Sequence, residues 1–155
     1  MKMAKWANRS MALSVFLGLS VIMLSLMSGC LASGPVWVSL LGTEKMNDGR
    51  PALVCLYELK SSTIFERVPL DSFWKEGEKV FGSDLVKKTE IMLSPLKTEW
   101  FPLQVTKDTN YIGVAVDFRR ADAQGWRLVY SLIEKKPKEI YLRVVGNRVE
   151  IDKKK

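Results

Sequence analysis

Near its end the chain reads Tyr141-Leu142-Arg143-Val144-Val145-Gly146-Asn147-Arg148-Val149-Glu150-Ile151, two short runs of strand-forming residues around a glycine and an asparagine. Apolar and polar residues alternate on both sides of Gly146-Asn147, and a period of two is typical of β-strands. The pair Gly146-Asn147 supplies positive φ where a two-residue primed hairpin turn demands it. The stretch therefore predicts two antiparallel strands joined by a tight turn.

The same alternation recurs along the preceding hundred or so residues. Strong strand candidates are Val36–Leu41, Leu53–Glu58, Tyr111–Phe118 and Trp126–Ile133, and weaker ones are Thr89–Leu93 and Trp100–Val105. Pro102 lacks a backbone donor, which places the last of these at a sheet edge. About seven or eight short strands with turn signals between them predict a mainly β chain, folded as an antiparallel β-sandwich.

One segment does not follow the β pattern. Asp71 is a suitable N-cap for a short helix over Ser72–Phe81, and Ser83-Asp84 predicts a further helical turn. The sequence therefore predicts a helical insertion near residues 71–86. Its aromatic residues are interpreted as packing that seals the helices against one end of the sandwich, in preference to a ligand pocket.

The N-terminal segment has the layout of a bacterial lipoprotein signal peptide. Three basic residues precede the apolar run Met11–Met27, which is followed by Ser28-Gly29-Cys30. We expect residues 1–29 to be removed and Cys30 to be acylated. The apolar run of 17 residues would span about 25 Å as a helix, short of the roughly 30 Å hydrocarbon core, so an uncleaved anchor is the less favoured alternative.

The expected mature chain has a short anchor and one domain. Residues 30–35 form the acylated anchor and linker, residues 36–152 a single sandwich domain, and residues 153–155 a basic tail. Leu31 is not the aspartate that retains enteric lipoproteins at the inner membrane, so the similarity to those proteins implies the periplasmic face of the outer membrane. Two or three acyl chains make such attachment effectively permanent.

Composition argues against several classes of function. Without residues 1–29 the chain has 21 basic and 17 acidic side chains, interspersed, so its net charge of +4 does not indicate nucleic-acid binding. The chain contains no histidine, the commonest general base and metal ligand, and no phosphate-loop or hydrolase motif. Cys55 lies in an apolar run and is interpreted as a buried small hydrophobe. We expect no enzyme, no cofactor beyond the lipid and no small-molecule substrate.

The polar stretch between the first two strands is the candidate binding site. It comprises Gly42, Thr43, Glu44, Lys45, Met46, Asn47, Asp48, Gly49 and Arg50. Nine residues exceed the usual two to five of a hairpin connection, and long loops on rigid scaffolds often bind partners. Met46 is expected to add an adaptable apolar contact. A flexible connector is the alternative, whereas backbone hydrogen bonds from Asn47 and Asp48 and a turn at Gly49 would make the loop ordered.

The residues in order resemble the TssJ family of type VI secretion lipoproteins. The resemblance lies in the lipobox, the first strand, Asn47–Pro51 leading into Leu53–Lys60, Phe65, the Asp71–Phe81 helix, Asp84-Leu85, Tyr111–Ala115 with Phe118-Arg119, and Trp126-Arg127. One departure is Leu96, which follows Ser94-Pro95 where a glycine is expected.

The resemblance implies a transthyretin-like β-sandwich with short added helices. It also implies a structural role in the secretion system's membrane complex. The expected partner is the periplasmic C-terminal domain of TssM, an inner-membrane protein, and the loop Gly42–Arg50 is the expected contact. We interpret Gly113 as allowing close approach of a neighbour and Trp126 as a core residue.

A different class of function is a free-standing periplasmic lipoprotein that binds peptidoglycan or another glycan through exposed aromatic rings. Burial of Trp37, Trp74, Trp100 and Trp126 would remove the stacking platform that this alternative needs.

Overall fold

The computed structural model describes residues 34–121 and 124–153. The predicted signal peptide, Cys30 and most of the linker lie outside these residues, as do the last two lysines of the tail. The strands are β1 (Val36–Gly42), β2 (Ala52–Leu59), β3 (Leu85–Leu93), β4 (Thr98–Leu103), β5 (Tyr111–Asp117), β6 (Arg127–Ser131), β7 (Glu139–Val145) and β8 (Arg148–Ile151). The helices are α1 (Thr63–Arg67) and α2 (Leu70–Glu76), with 3-10 segments at Met46–Gly49 and Gly77–Asp84.

The strands form two four-stranded sheets. Sheet 1 has the order β4-β1-β7-β8 and sheet 2 the order β3-β2-β5-β6. All pairings are antiparallel except that of β1 with β7, which is parallel. The predicted β-sandwich with seven to eight strands is therefore confirmed, with eight strands and one parallel pair that the sequence did not predict.

The C-terminal hairpin and the proline edge both agree with the sequence. Val145 pairs with Arg148 across a two-residue turn in which Gly146 has φ of 56°. Pro102 lies in β4, an edge strand of sheet 1, where the sheet does not need the backbone N–H that proline lacks.

The helical region differs from its prediction in four ways. α2 begins at Leu70 after Pro69, so Asp71 lies in the first turn and does not cap it. Gly77, with φ of 60°, ends α2, and a 3-10 segment continues to Asp84. Leu85 and Val86 begin β3 instead of a helical turn. The short α1 was not predicted, and its N-cap residue, Ser62, makes no side-chain capping hydrogen bond.

The helices cover the outer face of sheet 2. The ring of Tyr57 on β2 lies 5.5 Å from that of Phe65, 5.5 Å from that of Phe73 and 5.2 Å from that of Phe81. All four side chains are buried, so the aromatic residues are packing as predicted, but against the face of the sheet and not its end. A Cβ on Gly113 would lie 2.7 Å from the Phe65 ring, which confirms that this glycine permits close approach.

Connections from both sheets meet at one end of the sandwich, called here the loop end. They are the β1–β2 loop, the β3–β4 turn, the β5–β6 connection and the β7–β8 turn. The linker residues Gly34 and Pro35 enter β1 at the opposite end, called here the linker end. β1 has seven residues, so the two ends are separated by roughly 23 Å at about 3.3 Å per residue.

Candidate functional site

The β1–β2 loop is ordered through Asn47. The side-chain amide of Asn47 donates a hydrogen bond to the Pro51 carbonyl at 2.8 Å, and its oxygen accepts one from the Arg119 N–H at 2.8 Å. The Asn47 N–H donates to the Gly146 carbonyl at 2.8 Å. Three connections of the loop end are therefore joined by one buried side chain and its backbone, which supports an ordered loop over a flexible connector.

The loop backbone is left-handed over three successive residues. Asn47, Asp48 and Gly49 have φ of 46°, 57° and 75°. Asparagine, aspartate and glycine are the residues that tolerate this region, so the local sequence suits the turn. The expected participation of Asn47 and Gly49 is confirmed.

Thr43 fixes the first half of the loop. Its hydroxyl donates to the Val144 carbonyl at 2.8 Å, and its N–H donates to the same oxygen at 3.0 Å. The loop therefore leaves β1 in a fixed direction, held against the neighbouring strand β7.

Met46 does not offer the exposed contact that the sequence suggested. Its side chain is fully buried, and its sulfur would lie 2.5 Å from a Cβ built on Gly42. Met46 thus fills the space that the missing side chain of Gly42 leaves open. The expectation of an exposed methionine is wrong, because the loop folds back over the end of β1.

The remaining loop residues present charge to solvent. Glu44, Lys45, Asp48 and Arg50 are exposed, whereas Thr43 is half-buried. Of the nine candidate residues, the structure therefore places Gly42, Met46 and Asn47 in supporting positions and four charged side chains at the surface.

Leu96 adds an apolar residue to the same end, and the sequence pattern did not select it as a binding residue. Its N–H donates to the Gly42 carbonyl at 2.8 Å, its φ is 60°, and its side chain is 72% exposed. A left-handed leucine costs roughly 1–2 kcal/mol, so a position better suited to glycine presents an exposed apolar side chain instead. The only sequence signal was that departure from the expected glycine.

Two ionisable side chains in the interior, Cys55 and Glu58, have pKa values raised by burial. Burial raises the pKa of the Cys55 thiol to about 11, which agrees with its interpretation as a buried hydrophobe. Burial also raises the pKa of Glu58, although the charge of Lys87 and a hydrogen bond from Thr109 oppose the shift. Within the residues that the structure describes, no three His, Cys, Asp or Glu side chains are grouped to hold a metal ion. The side chains of Glu76, Glu78, Glu134 and Glu139 are exposed.

The four tryptophans of the domain divide into two pairs. Trp126 is buried, as predicted, with its ring 4.8 Å from that of Phe73, and Trp74 is half-buried beside it. Trp37 is 42% exposed and Trp100 is 49% exposed. The burial of all four that would exclude glycan stacking is therefore not observed.

No helix among residues 34–121 and 124–153 has the length and apolar character needed to cross a bilayer. Taken together, the two four-stranded sheets of the described residues, their helical layer and the ordered loop end define a transthyretin-like β-sandwich with short added helices.

Comparison with known proteins identifies the family. Residues 36–149 match the family model described as "Type VI secretion lipoprotein, VasD, EvfM, TssJ". The chain belongs to this family of type VI secretion lipoproteins. The comparison with curated proteins gave no match.

Solved structures share the fold. TssJ1 from Pseudomonas aeruginosa is 22% identical, with a TM-score of 0.66 over 76% of this chain and 95% of that one. A chain of a structure titled "Type VI membrane complex" is 17% identical, with a TM-score of 0.70 over 77% and 98%. A chain of a structure titled "T6SS protein TssM C-terminal domain (869-1107) from EAEC" is 18% identical, with a TM-score of 0.69 over 77% and 98%.

Proposed function

We propose that this protein is an outer-membrane-anchored structural subunit of the type VI secretion membrane complex. Signal peptidase removes residues 1–29, and acyl chains on Cys30 hold residues 36–152 at the periplasmic face of the outer membrane. The domain binds the periplasmic C-terminal domain of a TssM-like inner-membrane protein through the loop Gly42–Arg50. It has no catalytic role.

Membership of the lipoprotein family supports the anchor, and the lipobox residues support Cys30 as its site. The similar chains in structures titled for a type VI membrane complex and for a TssM domain support the choice of partner. Leu31–Pro35 reach at most about 17–18 Å, which keeps the domain close to the bilayer.

The observation that carries the binding role is the ordered loop at the end of β1 opposite the linker. Asn47 and Met46 fix the backbone, while Glu44, Lys45, Asp48 and Arg50 point to solvent. A prearranged loop loses less conformational entropy when it binds than a flexible one does. A charged loop directed away from the membrane suits a partner that crosses the periplasm.

The loop is tested by changing its surface while its support is kept. We expect the fourfold variant Glu44→Ser, Lys45→Ser, Asp48→Asn, Arg50→Ser to lose co-purification with the TssM-like protein, because it removes the exposed charges of the loop. The loop itself should stay folded, because Met46, Asn47 and Gly49 are kept. A matched control changes Asp71, Lys75, Glu76 and Lys79, two acids and two bases exposed on the helical layer. Unchanged co-purification of the loop variant would exclude the loop as the main contact.

The anchor is tested separately. Labelled palmitate should be incorporated into the wild-type chain, and Cys30→Ser should abolish both the incorporation and the sedimentation with outer membranes. A Cys30→Ser protein that still fractionates with outer membranes would contradict the proposed attachment.

Exposed Trp37 and Trp100 favour glycan binding as the second candidate function. Both lie on the outer face of sheet 1, where the ring of Trp100 packs at 90° to that of Tyr141, with 5.7 Å between their centroids. Titration with soluble peptidoglycan fragments should then change tryptophan fluorescence in the wild type but not in a Trp37→Ala, Trp100→Ala variant.

A further inference from the structure

A cleft opens at the linker end of the sandwich. Its volume is about 340 Å³, and it is lined by Gly34, Pro35, Val36, Trp37, Val105, Lys136, Pro137 and Lys138. The described chain enters β1 through the wall of this cleft, at Gly34 and Pro35. The cleft therefore lies beside the point from which the linker extends to Cys30.

Exposed apolar side chains lie at this end of the molecule. Trp37 is 42% exposed on β1, and its backbone N–H donates to the Lys138 carbonyl at 2.9 Å, which fixes its place beside the cleft. Ile133 is 61% exposed in the connection between β6 and β7. Tryptophan is enriched at the level of lipid headgroups, because its ring is apolar while its indole N–H can still donate a hydrogen bond to a polar partner.

The same connection is basic. Lys135, Lys136 and Lys138 are exposed, against the two exposed carboxylates Glu134 and Glu139. The Lys136 ammonium donates to the Thr106 carbonyl at 3.4 Å, which holds it at the cleft. Lysines near a bilayer are attracted to the phosphates of anionic lipids.

Covalent geometry limits the distance from this end to the lipid. Four peptide units separate Cys30 from Gly34, and they reach at most about 14 Å when extended. The headgroup layer on each side of the hydrocarbon core is roughly 5–8 Å thick. An acyl anchor on Cys30 therefore places the cleft within reach of the headgroups.

We propose that the linker end of the sandwich rests on the phospholipid headgroup layer, with Trp37 and Ile133 at the interface and Lys136 and Lys138 on lipid phosphates. The contact fixes the orientation of the domain, so that the loop end is directed away from the bilayer. This inference rests on the proposed acylation of Cys30. The acyl chains attach the domain to the membrane, and the contact with the headgroups fixes its orientation.

The experiment uses the full mature lipoprotein in vesicles of phosphatidylethanolamine and phosphatidylglycerol with brominated acyl chains, which quench nearby tryptophans. Flotation with the vesicles reports the anchor, and quenching relative to unbrominated vesicles reports the contact. We expect wild type and Trp37→Phe to float equally, with at least about twofold less quenching in Trp37→Phe. Trp100→Phe, an equally exposed tryptophan further along the sheet, should retain most of the quenching.

A charge variant gives an independent readout. Lys136→Glu with Lys138→Glu should reduce the quenching of Trp37, whereas Lys75→Glu with Lys79→Glu on the helical layer should not. Flotation with equal quenching in wild type and Trp37→Phe would overturn the contact and leave the anchor standing. Failure of the wild type to float would overturn both.

Discussion

The side-chain oxygen of Asn47 accepts a hydrogen bond from the backbone N–H of Arg119 at 2.8 Å, across 72 positions of sequence. The bond ties the β1–β2 loop to the residues that follow β5. Because the amide group of the same side chain donates to Pro51, Asn47 uses both of its polar atoms to hold the loop.

Replacing Asn47 with alanine should therefore loosen the loop and destabilise the domain. The change leaves the Arg119 N–H and the Pro51 carbonyl without their partner and puts alanine at φ of 46°, so we expect a loss of about 2–4 kcal/mol. Urea unfolding measures the loss, and co-purification with the TssM-like protein should weaken in parallel. The control Asp48→Asn keeps a residue tolerant of the left-handed backbone and should change stability by less than about 0.5 kcal/mol. Equal stability of Asn47→Ala and wild type would show that the loop is not held this way.

Leu96→Gly should separate stability from binding. Glycine relieves the left-handed strain of about 1–2 kcal/mol but gains about 0.5–1 kcal/mol of freedom in the unfolded chain, so we expect a net stabilisation of up to about 1.5 kcal/mol. Removal of an exposed leucine from the loop end should at the same time weaken partner binding. Urea midpoints and partner affinity are measured on the same preparation, with Met92→Gln as an exposed apolar control on β3. A variant that is less stable and binds normally would contradict both expectations.

Alternation of apolar and polar residues was enough to predict the C-terminal hairpin and most of the strands, but not the first half of β3, which was expected to begin with a helical turn. The burial of Met46 was not predictable in this way, because it depends on the space that Gly42 leaves open. From the sequence alone, an apolar methionine in this loop fits an exposed contact equally well. The bond between Asn47 and Arg119 joins residues from distant parts of the chain, so no local pattern indicates it. The end of α2 at Gly77 had a sequence signal, since glycine adopts a positive φ readily, but the charged residues that follow continue a helical pattern.

Glu58 should make stability depend on pH. Its side chain is buried, its Oε2 accepts a 3.4 Å hydrogen bond from Thr109, and its Oε1 has no protein partner. Burial raises its pKa above the ordinary 4.5, so the folded state favours the protonated form. The contribution of the Glu58 carboxyl to the free energy of unfolding is therefore complete below pH 4.5, where the group is protonated in both states. It is lost as the pH rises through the pKa of Glu58 in the folded state.

Glu58→Gln should therefore be more stable than wild type at pH 7, on the order of 1 kcal/mol, with a smaller difference at pH 4. Urea unfolding across this range measures the effect, and Glu99→Gln, exposed on β4, serves as the control. A difference that is independent of pH would show that the carboxyl group does not change protonation on folding.

Thiol titration tests the assignments of both cysteines in one measurement. The sequence has two cysteines, and acylation converts the Cys30 thiol to a thioether, which leaves Cys55 as the free thiol of the mature chain. Cys55 is buried and its pKa is raised to about 11, so at pH 8 it should react with iodoacetamide at a rate limited by unfolding. We expect almost no labelling of the native lipoprotein and one label per chain in urea. Two labels per chain in urea would show that Cys30 is not acylated, and rapid labelling of native protein would show that β2 opens far more readily than its packing indicates.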